Sequence, residues 1–308
     1  MRSVPQAWGP DEGDPVMSQT EDVVEERVDA TAGTRWEAAS GRVTYTVHEG
    51  VADVRLNRPD KLNALDGAMF AAIVEAGETL RADRSVRAVV LSGEGRSFCA
   101  GLDLASVAAM AGDDGGVGVA GGLGARVEGR ITNLAQHAVR IWTELKVPTI
   151  AAVHGVALGG GLQIALGPDL RIVAPDVRMS VLEVRWGLVP DMTGTWVLPR
   201  LVGLDVAKEL TWTGRMVGGA EALRIGLATE VSDDPRARAL ELAATIAGAS
   251  PDAVQGAKVL LERSLTATAA DQFLVESQVM GGLIGSPNQI EAVTAYFEKR
   301  PARYADPV

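Results

Sequence analysis

The chain has 308 residues, with 29 Lys+Arg against 40 Asp+Glu and a formal net charge of −11. A chain this acidic lacks the basic footprint that a phosphate backbone or an anionic membrane surface requires. No apolar run approaches the ~20 residues of a spanning helix, so neither nucleic acid nor membrane is expected as a partner. The single cysteine, Cys99, excludes an internal disulfide, and the N-terminus shows no signal-peptide core, which together predict a cytoplasmic protein.

Residues 1–38 are rich in Asp, Glu, Gly, Pro and Thr without an apolar period, and are expected to form a disordered tail in which Met17 is a candidate natural start. From Val43 the text alternates as strands do, VTYTV then VADVRL, with a turn at Glu49-Gly50. AMFAAIVEAGETLRAD, from Ala68, carries apolar residues at helical spacing, and VRAVVLSG, from Val86, reads as a buried strand. VPTIAAVHG is a second buried strand, GGLQIALGPD a short helix opened by glycines, and LRIVAP and VRMSVL are further strands. From Asp205 the pattern is mostly helical, with apolar stripes expected to pack on the rest of the fold or on neighbouring subunits rather than to form a binding site. Repeated strand, turn and helix units imply an α/β protein with a parallel sheet. The stretch 111–124 is so rich in glycine that a long loop is expected there, and it and the segment Val127–Trp142 are candidate walls of a substrate pocket.

Three segments carry candidate chemistry. SFCAGLDLAS (97–106) places a small-residue turn, Ala100-Gly101, after a strand, where a ligand can approach the backbone; a plain strand-to-helix turn is the alternative. Three glycines, 159–161, precede a helix, whose unpaired N–H groups can stabilise a negative oxygen. The alternative there is glycine for close helix packing. A phosphate loop and a dinucleotide fingerprint are both excluded by the residues that surround the glycines. Glu183 and Asp191 stand in apolar text, where a carboxyl group acquires a raised pKa and moves protons near neutral pH; ion pairing with Arg185 or Arg200 is the alternative.

Together with NRPDKLNAL (57–65), the segments SFCAGLDL (97–104), HGVALGGGLQIAL (154–166) and GLVPDMTGTWVLPRLVG (187–203) resemble the crotonase, or enoyl-CoA hydratase/isomerase, superfamily in order and spacing. The resemblance covers residues 42–300. It implies a crotonase-like ββα spiral over residues 39–204 that holds an acyl-CoA site, and a C-terminal helical region over 205–308 that assembles trimers or dimers of trimers. It implies that the backbone N–H groups of Leu102 and Gly160 hold the thioester oxygen. Lys61, Ala64, Leu65, Ala100, Gly101, Asp103, Gly159 and Gln163 are then expected to border the substrate, with Ala100 facing the adenine. Lys299 and Arg300 are expected to form a solvated charged face, with contact to a CoA phosphate, from an adjacent subunit, as the alternative. Coenzyme A enters only as part of the thioester, and neither a metal nor a redox cofactor is implied; His48, His137 and His154 are too scattered to form a ligand set.

The family's hydratases carry two glutamates, and the first of these positions is Gln163 here. An amide can hold a water but cannot take its proton at neutral pH. The expected activity is therefore a double-bond shift in an enoyl- or dienoyl-CoA, with Glu183 removing a proton and Asp191 returning one, the latter matching an aspartate of the dienoyl-CoA isomerase branch. Two alternatives stand beside it: a trans-2-enoyl-CoA hydratase in which Gln163 positions water, and a non-catalytic acyl-CoA binding protein.

Overall fold

The computed structural model describes residues 33–103, 126 and 129–307. The expected tail up to residue 32, the glycine-rich stretch 111–124 and Val127 lie outside the described residues. Residues 34–37, assigned to the tail from composition, instead form strand β1 (Thr34–Glu37), which pairs antiparallel with β2 (Val43–His48). Composition missed it because its support is a partner: Trp36 stacks on Tyr45 of β2 at 4.9 Å between ring centroids.

The predicted hairpin is β2 and β3 (Val51–Leu56), and from β3 onward the sheet becomes parallel. Its order among the described residues is β1-β2-β3-β4-β5-β7-β9, with β4 at Ala88–Gly93, β5 at Thr149–Val153, β7 at Leu170–Val173 and β9 at Glu230–Val231. All six residues of β4 and all five of β5 are buried, as an apolar run without alternation demands of a strand covered on both faces. A second, two-stranded parallel sheet joins β6 (Val156–Leu158) to β8 (Arg178–Ser180).

Helix α1 (Gly67–Ala82) begins where the Asp66 carboxylate accepts the N–H of Met69 at 2.8 Å, and it buries Met69, Phe70, Ile73, Ala76 and Leu80. It packs on α2 (Leu134–Glu144), which is opened by a capping box between Asn133 and Gln136. Gly77 makes that contact possible, since a Cβ there would stand 2.3 Å from Ile141. Trp142, expected in the pocket wall, is instead fully buried in the main core. Helices α3 (Gly160–Ala165), α4 (Gly194–Val202), α5 (Leu204–Thr213) and α6 (Gly219–Arg224) follow. The other face of the sheet is covered by α7 (Pro235–Ala247), whose Ala239, Ala243 and Ala247 form a small-residue stripe against Val90, Ile150 and Ile172.

The expected boundary at residue 205 is not where the core ends. Ala207, Leu210, Ala222 and Leu227 belong to the main hydrophobic cluster, and β9 extends the main sheet. Helices α8 (Pro251–Ser264), α9 (Ala269–Leu283) and α10 (Pro287–Glu298) lie beyond it. Of these, α9 buries none of its residues. No helix among the described residues is long and apolar enough to cross a membrane.

Candidate active site

The carboxyl ends of β3, β4 and β5 deliver three loops to one place, as parallel sheets do. The first, residues 57–66, holds Leu62 and Asn63 consecutively at φ +51° and +55°, a conformation uncommon for residues with a Cβ. Asn63 is fully buried and offsets that cost. Its carboxamide oxygen accepts the Arg58 N–H at 2.7 Å, and its amide donates to the carbonyls of Glu94 and Ser97 at 2.9 and 2.8 Å. Arg58 ties the first loop to the second by donating to the Ala64 carbonyl at 3.1 Å and to Asp103 at 2.8 Å.

The second loop, residues 94–103, is bracketed on Leu65: the Leu65 N–H donates to Gly101 O at 2.8 Å, and the Asp103 N–H donates to Leu65 O at 3.0 Å. In an extended pairing, alternate peptide groups face opposite sides, so the N–H of Leu102 points away from Leu65. Toward that side stands the start of α3. A Cβ on Gly101, at φ +91°, would lie 2.5 Å from Leu158 O and 3.7 Å from Gly160 N. Gly160 is the first residue of α3, where an N–H has no partner within the helix. Among the described residues, neither the Leu102 N–H nor the Gly160 N–H donates to another backbone group across a turn, loop or cap. Gly161 allows the close approach of α3 to this loop, since a Cβ there would stand 2.3 Å from Cys99 O.

Gly159 adopts φ +51° and ψ −120°, and its N–H donates to Ser180 O at 2.9 Å, which draws the end of β8 against the glycine turn. Three residues after Ser180, Glu183 opens a 3-10 turn, Glu183–Trp186, and its carboxylate lies 3.5–3.8 Å from where a Gly159 Cβ would be. Glu183 is 8% exposed. Its Oε1 accepts from Gln163 Nε2 at 2.7 Å, and its Oε2 is buried with no hydrogen-bond partner among the described residues. Among the described residues Glu183 makes no ion pair, and Arg200 stacks on Trp196. Burial raises the Glu183 pKa above the usual carboxylate value and the Asp191 charge adds to that; hydrogen bonds from the Glu183 backbone, Gln163 and Leu182 act in the opposite direction.

The carboxamide of Gln163, itself 2% exposed, has one orientation. Its Oε1 accepts the N–H groups of both Met192 and Gly194, each at 2.9 Å, which occupies both lone pairs and aims the NH₂ at Glu183. Thr193, between those two donors, has φ +71°, the left-handed conformation that turns successive N–H groups toward one acceptor. Neither Thr193 nor the strained Leu62-Asn63 pair was singled out from sequence, because a Thr in PDMTGT carries no local mark of positive φ.

The structure thus brings Leu65, Gly101, Leu102, Asp103, Gly159, Gly160, Gln163 and Glu183 together. Ala64 is buried beside them and Ala100 is half-buried, its N–H on Leu62 O at 2.9 Å, while Lys61 is exposed on a 3-10 turn. Asp191 differs from expectation: it is exposed rather than in apolar surroundings. Arg300 pairs with Glu291 and Glu298, at the far C-terminus. His48 is exposed at the end of β2, His137 is buried against Glu78, and His154 contacts Gly95 O.

A cavity of about 200 Å³ adjoins these groups, and α5, expected only to pack, supplies part of its wall.

The family model for enoyl-CoA hydratase/isomerase matches residues 46–307. The chain is 36% identical over 264 residues to enoyl-CoA hydratase domain-containing protein 2 of Bos taurus, mitochondrial, covering 83% of this chain and 85% of that one. It is 35% identical to the short-chain-enoyl-CoA hydratase of Clostridium acetobutylicum, over 81% of this chain and 92% of the relative. A solved enoyl-CoA hydratase structure from Bacillus anthracis superposes with a TM-score of 0.78 at 29% identity, over 86% of this chain and all of that one (100%). The chain belongs to the enoyl-CoA hydratase/isomerase family of the crotonase superfamily, and its ββα core with C-terminal helices is the crotonase fold.

Proposed function

We propose that the protein shifts a double bond within an enoyl-CoA thioester. The thioester oxygen sits between the N–H groups of Leu102 and Gly160, which stabilise the negative charge that develops there when carbon α or γ loses a proton. Glu183 Oε2 takes that proton and returns it two carbons along. One observation carries this reading: Gln163 Oε1 is filled by two backbone N–H donors, so among the described residues of the site it is Glu183 that keeps a buried basic atom free. Asp191 is exposed whereas Glu183 is buried; Asp191 is therefore assigned a charge that raises the pKa of Glu183 rather than the return step. The chemistry uses amides and one carboxylate, with coenzyme A as part of the substrate, and calls on neither a metal nor a redox cofactor.

A mass-spectrometric assay in deuterated water with trans-2-enoyl-, 3-enoyl- and 3,5-dienoyl-CoA tests the reading. The expected result is a retention shift without water addition, and less than full deuterium uptake because one shielded carboxyl carries the proton. Rapid water addition to the 2-enoyl thioester overturns it in favour of hydration. That second reading has its own support: Gln163 Nε2 has one N–H left for a water, and the Clostridium acetobutylicum relative is a short-chain-enoyl-CoA hydratase. Against a purely binding role stands Glu183 Oε2, a buried carboxyl oxygen left without a partner, which costs stability unless it is used.

We also propose assembly into trimers or dimers of trimers. Phe273, Leu274 and Met280 of α9, and Tyr296 and Phe297 of α10, are exposed large hydrophobics on helices that the single chain leaves uncovered. Sedimentation velocity is expected to show a mass of three or six chains; a monomer at micromolar concentration sinks the idea.

A further inference from the structure

The following rests on the acyl-CoA reading, whether the thioester is isomerised or hydrated, and concerns what stands behind the Leu102 N–H. That N–H shares a peptide group with Gly101 O. The peptide bonds of the described residues are trans, so the carbonyl and the N–H point in opposite directions, and whatever holds Gly101 O aims the Leu102 N–H. The holder is the Leu65 N–H, at 2.8 Å. This N–H in turn shares its peptide group with Ala64 O, which accepts from Arg58 Nη1 at 3.1 Å. An unbroken series therefore runs from the guanidinium to the thioester oxygen: Arg58 Nη1 on Ala64 O, the Leu65 N–H on Gly101 O, and the Leu102 N–H on the substrate.

Hydrogen bonds in series polarise one another, and a series that begins at a cation strengthens the donor at its far end. The Gly160 N–H is backed differently: the carbonyl of its peptide group, Gly159 O, accepts the Gln163 N–H at 3.0 Å in the first turn of α3. Gly101 O meets a loop residue instead of a helical N–H, and Arg58 supplies to Leu102 the support that the helix gives to Gly160. The same Nη1 lies 2.8 Å from Asp103 Oδ2 and 3.4 Å from Asp66 Oδ2, and Asp66 also pairs with Arg42 at 2.8 Å. Two arginines face two aspartates, so the group is neutral as a whole and projects little field over a distance; its effect on Leu102 passes through bonded contacts. The Asp103 pair pins the residue after Leu102, so one largely buried guanidinium holds both flanks of the donor. We infer that Arg58 is a positioning residue for the reaction: through Ala64 and Leu65 it aims and polarises the Leu102 N–H at the thioester oxygen, beyond fastening two loops together.

The test reads the thioester carbonyl directly. Hexanoyl-CoA, isotopically labelled at the carbonyl and without a double bond to react, is bound to the wild type, Arg58→Met, Arg58→Lys and Arg42→Met, and its carbonyl stretch is recorded by infrared difference spectroscopy. In the wild type the band is expected at lower wavenumber than in the free thioester. Arg58→Met is expected to move the band back toward the free value. It is also expected to lower kcat for the enoyl thioester about tenfold to 10²-fold, part of what losing a whole oxyanion donor costs, with KM little changed. Arg58→Lys keeps a cationic donor without the planar fork and is expected to fall between the two. Arg42→Met breaks the pair with Asp66 but touches no member of the series, and it is expected to keep the wild-type band and kcat whatever it does to the melting temperature. An unmoved band in whichever Arg58 variant folds and binds hexanoyl-CoA, or an equal shift in Arg42→Met, overturns the inference in favour of an ion cluster that serves stability alone. A wild-type protein that binds no hexanoyl-CoA would instead overturn the acyl-CoA reading on which it rests.

Discussion

Glu183→Gln is expected to lower turnover by about 10²–10⁴-fold, the range a positioned general base contributes, while the thioester still binds. The shape of the site is kept, since the amide oxygen introduced at position 183 can still accept from Gln163 Nε2. The same substitution is expected to leave the melting temperature at pH 8 unchanged or higher. Burial raises the Glu183 pKa in the folded state, so the native protein holds this proton more tightly than the unfolded chain does. Its stabilising contribution is full below the unfolded pKa of about 4.3 and is lost as pH rises through the higher folded value. At pH 8 the ionised carboxyl is therefore a burden on folding, and an amide removes it. In the wild type kcat/KM falls as pH drops through that raised pKa, because the base must be unprotonated, and this limb is absent from any residual activity of the variant. Turnover unchanged in Glu183→Gln would show that the base lies elsewhere.

Gln163→Glu converts the site in the other direction. One oxygen of the new carboxyl keeps the Met192 and Gly194 N–H groups, and the other takes the place of Nε2, 2.7 Å from Glu183 Oε1. Two carboxyls this close share a proton, so the pair titrates in two steps set well apart. A water held beside the pair, at Glu183 Oε2, then meets both an acid and a base. Hydration of a trans-2-enoyl thioester is expected to rise by about 10²-fold, the double-bond shift to fall, and the pH–rate profile to become bell-shaped. A wild-type protein that already hydrates rapidly, and a variant that hydrates no faster, would assign the native activity to hydration.

Much of this was legible in the residues. The all-buried strands β4 and β5 follow from VRAVVLSG and VPTIAAVHG, and the glycines at 101 and 159–161 mark where backbone must approach backbone. The exchange of a glutamate for Gln163 narrows the chemistry before any fold is known. What local text could not supply were the partners that come from elsewhere. β1 forms because Trp36 meets Tyr45, and Asp191 is exposed although its neighbours in sequence are apolar, because the loop after Glu183 turns outward. Helix α5 lines the cavity although its stripe reads like ordinary packing, since a helical period reveals an apolar face but not what lies opposite it.

The sequence alone determined the family, the central buried strands and the identities of the groups at the site, because these depend on residue type and on spacing over a few turns of chain. The tertiary structure alone decided how those groups act. The amide of Gln163 faces Glu183 because two N–H groups 29 and 31 residues further along the chain claim its oxygen, and the left-handed Thr193 between them is what turns both inward. Among the described residues Glu183 Oε2 is left without a partner by the same arrangement, and an unpaired, desolvated carboxyl oxygen is a property of packing that no stretch of residues encodes locally.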